Sequence, residues 1–145
     1  MADSVLRTKS KKFAKDIVFL CRKMKQNGVE SSLINQLLRC GTSIGANVHE
    51  AQYAQGTKDF ISKFEIALKE CNESEYWLEL LYETNSLTEA DFKKFQSKCV
   101  ELRRMLVSSV TTLKNKECLR QVFTPVLPPL KFKQRQERHA PAVFL

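Results

Sequence analysis

Apolar residues recur along this chain at alternating steps of three and four, the spacing that lines up one face of a helix. Leu6, Ser10, Phe13, Ile17, Leu20 and Met24 form the first such stripe, with Asp3 or Ser4 placed to cap it and Asn27-Gly28 to end it. The second starts near Ser31 or Ser32, carries Ile34, Leu37, Gly41, Ile44, Val48 and Ala51, and stops at Gln55-Gly56. The third, capped by Thr57, carries Phe60, Phe64, Ala67, Cys71, Ser74, Leu78 and Leu81 and ends at Asn85-Ser86. The fourth opens on Thr88-Glu89-Ala90-Asp91 and carries Phe92, Phe95, Cys99, Leu102, Leu106, Ser109 and Leu113. Connections this short force neighbouring helices antiparallel, and a sustained seven-residue repeat favours left-handed packing at roughly 20°. The pattern predicts an all-α, antiparallel, up-down-up-down, left-handed four-helix bundle over residues 1–118.

The second helix has one stripe too many. Gln36, Ser43, Asn47 and Glu50 repeat beside its apolar face, where a buried seam would not tolerate them. Gly41 and Gly45, one turn apart, each cost about 1 kcal/mol of helix propensity, which close approach of another backbone would offset. Large apolar residues also spill beyond the seams: Val18, Phe19, Leu33, Leu38, Ile61, Leu68, Trp77, Leu80 and Tyr82. Such a surplus thickens a core or covers an interface between copies. Gly41, Ser43, Gly45, Asn47, Glu50 and Trp77 are therefore the candidate assembly residues, organising packing within the bundle or between the copies of a homo-oligomer.

Composition agrees with long helices: no proline precedes Pro125. No run of about 18 apolar residues exists, so no span crosses a membrane, and the start shows no charged-then-apolar leader, which points to the cytoplasm. Residues 119–145 change character. Val122 to Leu130 is apolar and broken by Pro125, Pro128 and Pro129, hence extended, and it leads into a basic stretch with Lys131, Lys133, Arg135 and Arg138. A tail of this kind is commonly disordered or docked on its own domain; the sharper reading is an arm whose proline segment packs on a neighbour or partner while its cations meet phosphate.

The net charge of +8 is unevenly spread. Residues 1–28 hold eight Lys/Arg against Asp3 and Asp16, whereas residues 56–84 hold three Lys against seven acids. On a helical wheel Arg7, Lys11, Lys15, Arg22 and Lys25 fall within about 80°, nearly opposite the first seam, as a basic ridge. Lys93, Lys94, Lys98 and Arg104 point away from the core of the fourth helix. No aromatic residue interleaves with these ridges, so contacts to nucleic acid would be mostly to phosphate. The competing reading is an ordinary solvated lysine face.

Catalysis finds little footing. The two histidines, His49 and His139, have no reason to meet, and His49 and Glu50 point about 100° apart on a helix. The paired Glu-x-x-His motifs of a two-metal bundle are missing, and Gly41 to Gly45 lacks the lysine and strand of a phosphate loop. Cys21, Cys40, Cys71, Cys99 and Cys118 are widely spaced and read as reduced core fillers, with no disulfide framework or zinc site. No catalytic residue, metal or cofactor is expected.

Several blocks together resemble a known family: Lys9-Ser10 before Phe13-Ala14, Gln36-Leu37, Thr42-Ser43-Ile44-Gly45-Ala46-Asn47-Val48, Glu50-Ala51, Asp59-Phe60-Ile61, Ala67-Leu68-Lys69-Glu70, and Glu73 before Tyr76-Trp77-Leu78. In order and spacing, over roughly residues 5 to 116, they look like the four-helix-bundle family of 23S ribosomal-RNA intervening-sequence proteins, a small bacterial family related to the accessory proteins of diversity-generating retroelements. The resemblance implies a ring-shaped homopentamer with a basic surface, without catalysis, binding RNA or a nucleic-acid enzyme such as a reverse transcriptase. Two functions follow as expectations: an RNA-associated accessory or scaffold protein, or a purely protein-binding assembly module whose charge serves solubility.

Overall fold

The computed structural model describes the backbone of residues 2–123 and the side chains of residues 5–122. Within them the chain folds into four helices and no strand: α1 (Ala2–Gln26), α2 (Ser31–Ala51), α3 (Thr57–Glu83) and α4 (Glu89–Phe123). The backbone of α2 packs on α1 and α3, α3 also packs on α4, and α1 packs lightly on α4; the backbones of the diagonal pairs stay apart. Residue numbers that rise along one helix fall along the next. Lys9, Asp16 and Lys23 of α1 face Glu101, Lys98 and Asp91 of α4, and Glu50 and Arg39 of α2 face Lys63 and Glu73 of α3.

The core is the seam that periodicity marks. All six seam positions of α1 and all six of α2 are buried, joined by Cys21 and Cys40. Phe13 and Phe95 meet edge to face at its centre, their ring centroids 6.2 Å apart. The stripe departs from a strict seven-residue repeat in two places. Ile61 is buried at the start of α3, where the repeat predicts Phe60, which is exposed to a greater degree. Along α4 the buried run is Phe95, Cys99, Leu102, Leu106 and Val110, with Ser109 and Leu113 half-buried. Phe95 to Leu106 and Cys99 to Val110 are steps of eleven, about 3.67 residues per turn, the drift of a nearly straight helix. Of the surplus apolar residues, Phe19 alone is exposed; Ile61 is buried, Leu33, Leu38, Leu68, Trp77 and Tyr82 pack against the core, and Val18 and Leu80 are half-buried.

The helix ends follow local chemistry. After α1, Gly28 takes a positive φ of 79°, the Val29 N–H reaches the Met24 carbonyl (3.1 Å) and the Gly28 N–H the Lys25 carbonyl (3.2 Å), the paired bonds of a left-handed C-terminal cap. Asn85 does the same after α3 at φ 56°, with Ser86 donating to Leu81 (2.8 Å). The Thr88 hydroxyl accepts the Asp91 N–H at 3.2 Å and caps α4 as expected. Tyr82 and Phe92 stack at 4.5 Å across that turn.

Four boundaries correct the sequence reading. Asp3 and Ser4 lie inside α1, which already runs at Ala2. α2 stops at Ala51 and not at Gln55: the Tyr53 and Ala54 N–H groups turn to carbonyls three residues back, and the Asp59 carboxylate then takes the Gln55 N–H (3.1 Å). Thr57 is the first residue of α3, with Gly56 ahead of it as the cap position. α4 runs on through Leu119 to Phe123, so Val122 and Phe123 are helical and not extended. Nothing in that stretch breaks a helix, and the residue that proline disfavours in helical form is Thr124. The rest of the expected arm, with Lys131, Lys133, Arg135 and Arg138, lies outside the described residues.

Candidate nucleic-acid interface

Arg7, Lys11, Lys15, Arg22 and Lys25 are all exposed on α1, as is Lys12 beside them. What separates the cations of this helix is the edge they occupy. On the α4 side Lys9 pairs with Glu101, Lys23 with Asp91 (2.8 Å), and the acid Asp16 with Lys98. The α2–α3 seam is tied by Glu50–Lys63 (2.7 Å) and by Arg39 with Glu73 and Glu70, and the α3–α4 seam by Glu75–Arg103 (2.9 Å) and Glu65–Lys114 (2.6 Å). Across α1–α2, among the described residues, there is no ion pair at all. The reason is compositional: α2 carries a single acid, Glu50, and that acid faces α3.

The unneutralised edge is concave. Arg7 and Lys11 line a groove of about 330 Å³ with Ala14, Thr42, Gly45, Ala46 and His49. Its floor is made of small residues, and α1 and α2 approach closely along it. A Cβ on Gly45 would lie 3.2 Å from the Ser10 carbonyl oxygen, and one on Gly41 would lie 3.0 Å from both γ carbons of Ile17. The two glycines thus serve a helix contact inside one chain.

The basic residues of α4 are placed differently. Lys93 pairs with Glu89 one turn earlier, and Lys98 is only 28% exposed against Asp16, in the α1–α4 seam and not directed away from the core. Lys94 and Arg104 are exposed. Asp16, Asp91 and Glu101 lie between this set and the α1 ridge, so the two do not merge into one positive face. Contrary to the sequence reading, an aromatic residue does sit on the ridge: Phe19 is 53% exposed, with the Arg22 guanidinium 5.8 Å from its ring centre.

The second stripe of α2 forms the outer edge of the α2–α3 seam. Ser43 Oγ donates to the Arg39 carbonyl (2.7 Å), Asn47 Nδ2 to the Ser43 carbonyl (2.9 Å), and Glu50 holds Lys63. Trp77, half-buried on α3, donates Nε1–H to Glu73 Oε1 at 3.2 Å. These polar groups find their partners within the chain. Sequence reasoning missed Arg39, which joins that edge to Glu70 and Glu73, and Tyr53, whose ring lies 5.7 Å from that of His49 at the end of the basic groove. The i, i+4 spacing of His49 and Tyr53 is the signal that could have found the pair.

Four of the five cysteines are buried, and Cys118 is exposed near the end of α4. Burial pushes the Cys21 and Cys40 thiols up to about 11, and a hydrogen bond with Cys71 together with burial raises Cys99 further. Among the described residues no His, Cys, Asp and Glu gather as a metal site. A groove of about 620 Å³ between the end of α2 and residues 108–116 of α4 is lined by hydroxyls, apolar groups, the Gln52 amide and Lys116, with no acid, histidine or thiol. No helix among the described residues is long and apolar enough to cross a membrane.

Comparison with known proteins covers this same body. No curated protein matches the chain. A crystal structure at 1.70 Å of a protein with unknown function, from the S23 ribosomal protein family of Bacteroides thetaiotaomicron, is 43% identical, with a TM-score of 0.75; the match spans 77% of this chain and 99% of that one. Residues 2–108, which hold α1 to α3 and the α4 core seam as far as Leu106, match the family model for the 23S rRNA-intervening sequence protein. With α1 to α3, most of the α4 seam and the order of the helices inside that span, the chain belongs to the 23S rRNA-intervening sequence protein family.

Proposed function

We propose that this protein is a non-enzymatic accessory or scaffold protein that binds RNA through the α1–α2 edge of a homo-oligomer. One observation carries the reading: α1–α2 is the helix seam without an ion pair among the described residues, and Arg7 and Lys11 line a groove along it. Every other seam sets its cations against carboxylates, which is what a solvated lysine face in a folded protein ordinarily does. Cations left unpaired beside one another repel, and a polyanion relieves that repulsion while releasing its own counterions.

The fold reading that accompanies it is an antiparallel, left-handed, up-down-up-down bundle, supported by the falling order of paired residues along successive helices. Assembly into a ring, a homopentamer by family resemblance, is supported by exposed Phe19, Ile66, Tyr76 and Val107. A cytoplasmic place, no cofactor, and a reverse transcriptase as a further partner complete the proposal.

Titration of labelled RNA at low and at raised salt tests it. Arg7→Glu with Lys11→Glu and Lys15→Glu should abolish binding and flatten its salt dependence, since each cation withdrawn from a phosphate lowers the salt slope by about one. Lys93→Glu, at a cation already paired with Glu89, should change little. Undetectable RNA binding at low salt, together with a stable oligomer, would favour the protein-binding module instead.

A further inference from the structure

Resting on that RNA-binding reading, we propose that the α1–α2 groove takes single-stranded RNA, with backbone phosphates on Arg7 and Lys11 and an unpaired base stacked on the His49–Tyr53 pair at the groove's end. His49 is part of the groove wall that Arg7 and Lys11 also form. The Tyr53 ring stands 60° to the His49 ring at 5.7 Å and is 76% exposed, the most exposed large apolar side chain among the described residues. The Tyr53 N–H donates to the Glu50 carbonyl at 2.9 Å and the Gln52 N–H to the His49 carbonyl at 3.2 Å, so the turn that ends α2 fixes the backbone from which the ring projects beside His49.

The combination distinguishes two kinds of RNA. In a duplex the base faces are stacked on one another and only phosphates and groove edges are offered, whereas an unpaired base has a free face for an aromatic ring. A basic groove with an open aromatic group at its end therefore fits a single strand, and every base can supply the stacking face. Phe19, the other exposed aromatic near the ridge, has the Arg22 guanidinium 5.8 Å from its ring centre and does not line the groove. The juxtaposition exists only in the fold, because Tyr53 follows the end of α2 whereas Arg7 lies near the start of α1.

The test compares a short labelled RNA as a single strand and annealed to its complement, by fluorescence anisotropy on the full chain. Tyr53→Ala should weaken single-strand binding about tenfold and leave duplex binding unchanged, the magnitude expected for removing one base–aromatic stack. Tyr53→Phe, which keeps the ring, should bind like the unaltered chain. Circular dichroism of the variants should match, since the side chain is exposed. Single-strand affinity that survives Tyr53→Ala but disappears in Arg7→Glu/Lys11→Glu would overturn the stacking assignment while leaving the RNA reading intact. If the unaltered chain binds neither form, the RNA reading fails and this assignment falls with it.

Discussion

At Gly41 a methyl group would arrive 3.0 Å from Cγ1 and Cγ2 of Ile17, inside a fully packed seam. Gly41→Ala adds about 1 kcal/mol of helix propensity but forces a buried β-branched side chain off its place, which costs about 1–3 kcal/mol. We expect a net destabilisation of about 1 kcal/mol, seen as a lower urea midpoint at unchanged slope. Asn85 is held in left-handed geometry, so Asn85→Ala should cost about 1 kcal/mol and Asn85→Gly close to nothing in the same melt. Glu70 gives a pH-dependent case. Burial raises its carboxyl above the ordinary 4.5, with Arg39 opposing, and its Oε2 is buried without a hydrogen bond. A carboxylate raised in the folded state contributes stability below its unfolded pKa and loses that contribution as pH rises through the folded value. Glu70→Gln should therefore stabilise the protein at neutral pH, and the gain should fade toward pH 4.5, in thermal melts across that range. Asp91 runs the other way: the Lys23 hydrogen bond lowers its pKa, so its contribution is present above 3.8 and is lost on acidification.

At the scale of elements, the seams differ in what binds them. α1 meets α2 through glycines and apolar groups, while α1 meets α4 through a ladder of Lys9–Glu101, Asp16–Lys98 and Lys23–Asp91. Exposed ion pairs are individually weak and screened by salt, so raised salt should loosen the α1–α4 seam first. Hydrogen exchange at low and high salt should show faster exchange along α1 and α4 than along α2. Reversal of Arg7 and Lys11, which have no carboxylate partner among the described residues, should leave the melting temperature unchanged. Arg39→Glu, by contrast, should lower it, because Glu70 and Glu73 would then face a like charge.

For the whole molecule, α4 continues past the span shared with the family, and its residues from Cys118 to Val122 are exposed. Truncation after Cys118 should leave the unfolding midpoint in place while weakening partner binding; a fall in the midpoint would assign the removed segment to the core. The proposed ring requires a mass in light scattering that is a multiple of the chain's own. Asn47 donates to the Ser43 carbonyl within α2, and Gly41 and Gly45 pack against α1. Phe19 and Tyr76, exposed at 53% and 57%, are the better positions at which a charged substitution should reduce that mass.

The helices and the core are legible in the residues because helical periodicity is local: Leu6 to Met24 and Ile34 to Ala51 mark their own buried faces from spacing alone. The same locality explains what is not legible. How the chain leaves α2 involves the turn at Tyr53 and Ala54 and Asp59 reaching back to Gln55, and where the seam of α4 runs depends on how straight the packed helix is. Lys9 and Lys11 look alike in sequence, yet one faces Glu101 and the other faces a groove without an acid. Whether a cation is neutralised depends on which helix lies beside it. Sequence alone therefore established the four helices and the charge they carry, and only the tertiary structure decided which part of that charge stays open, and that His49 and Tyr53 stand next to it.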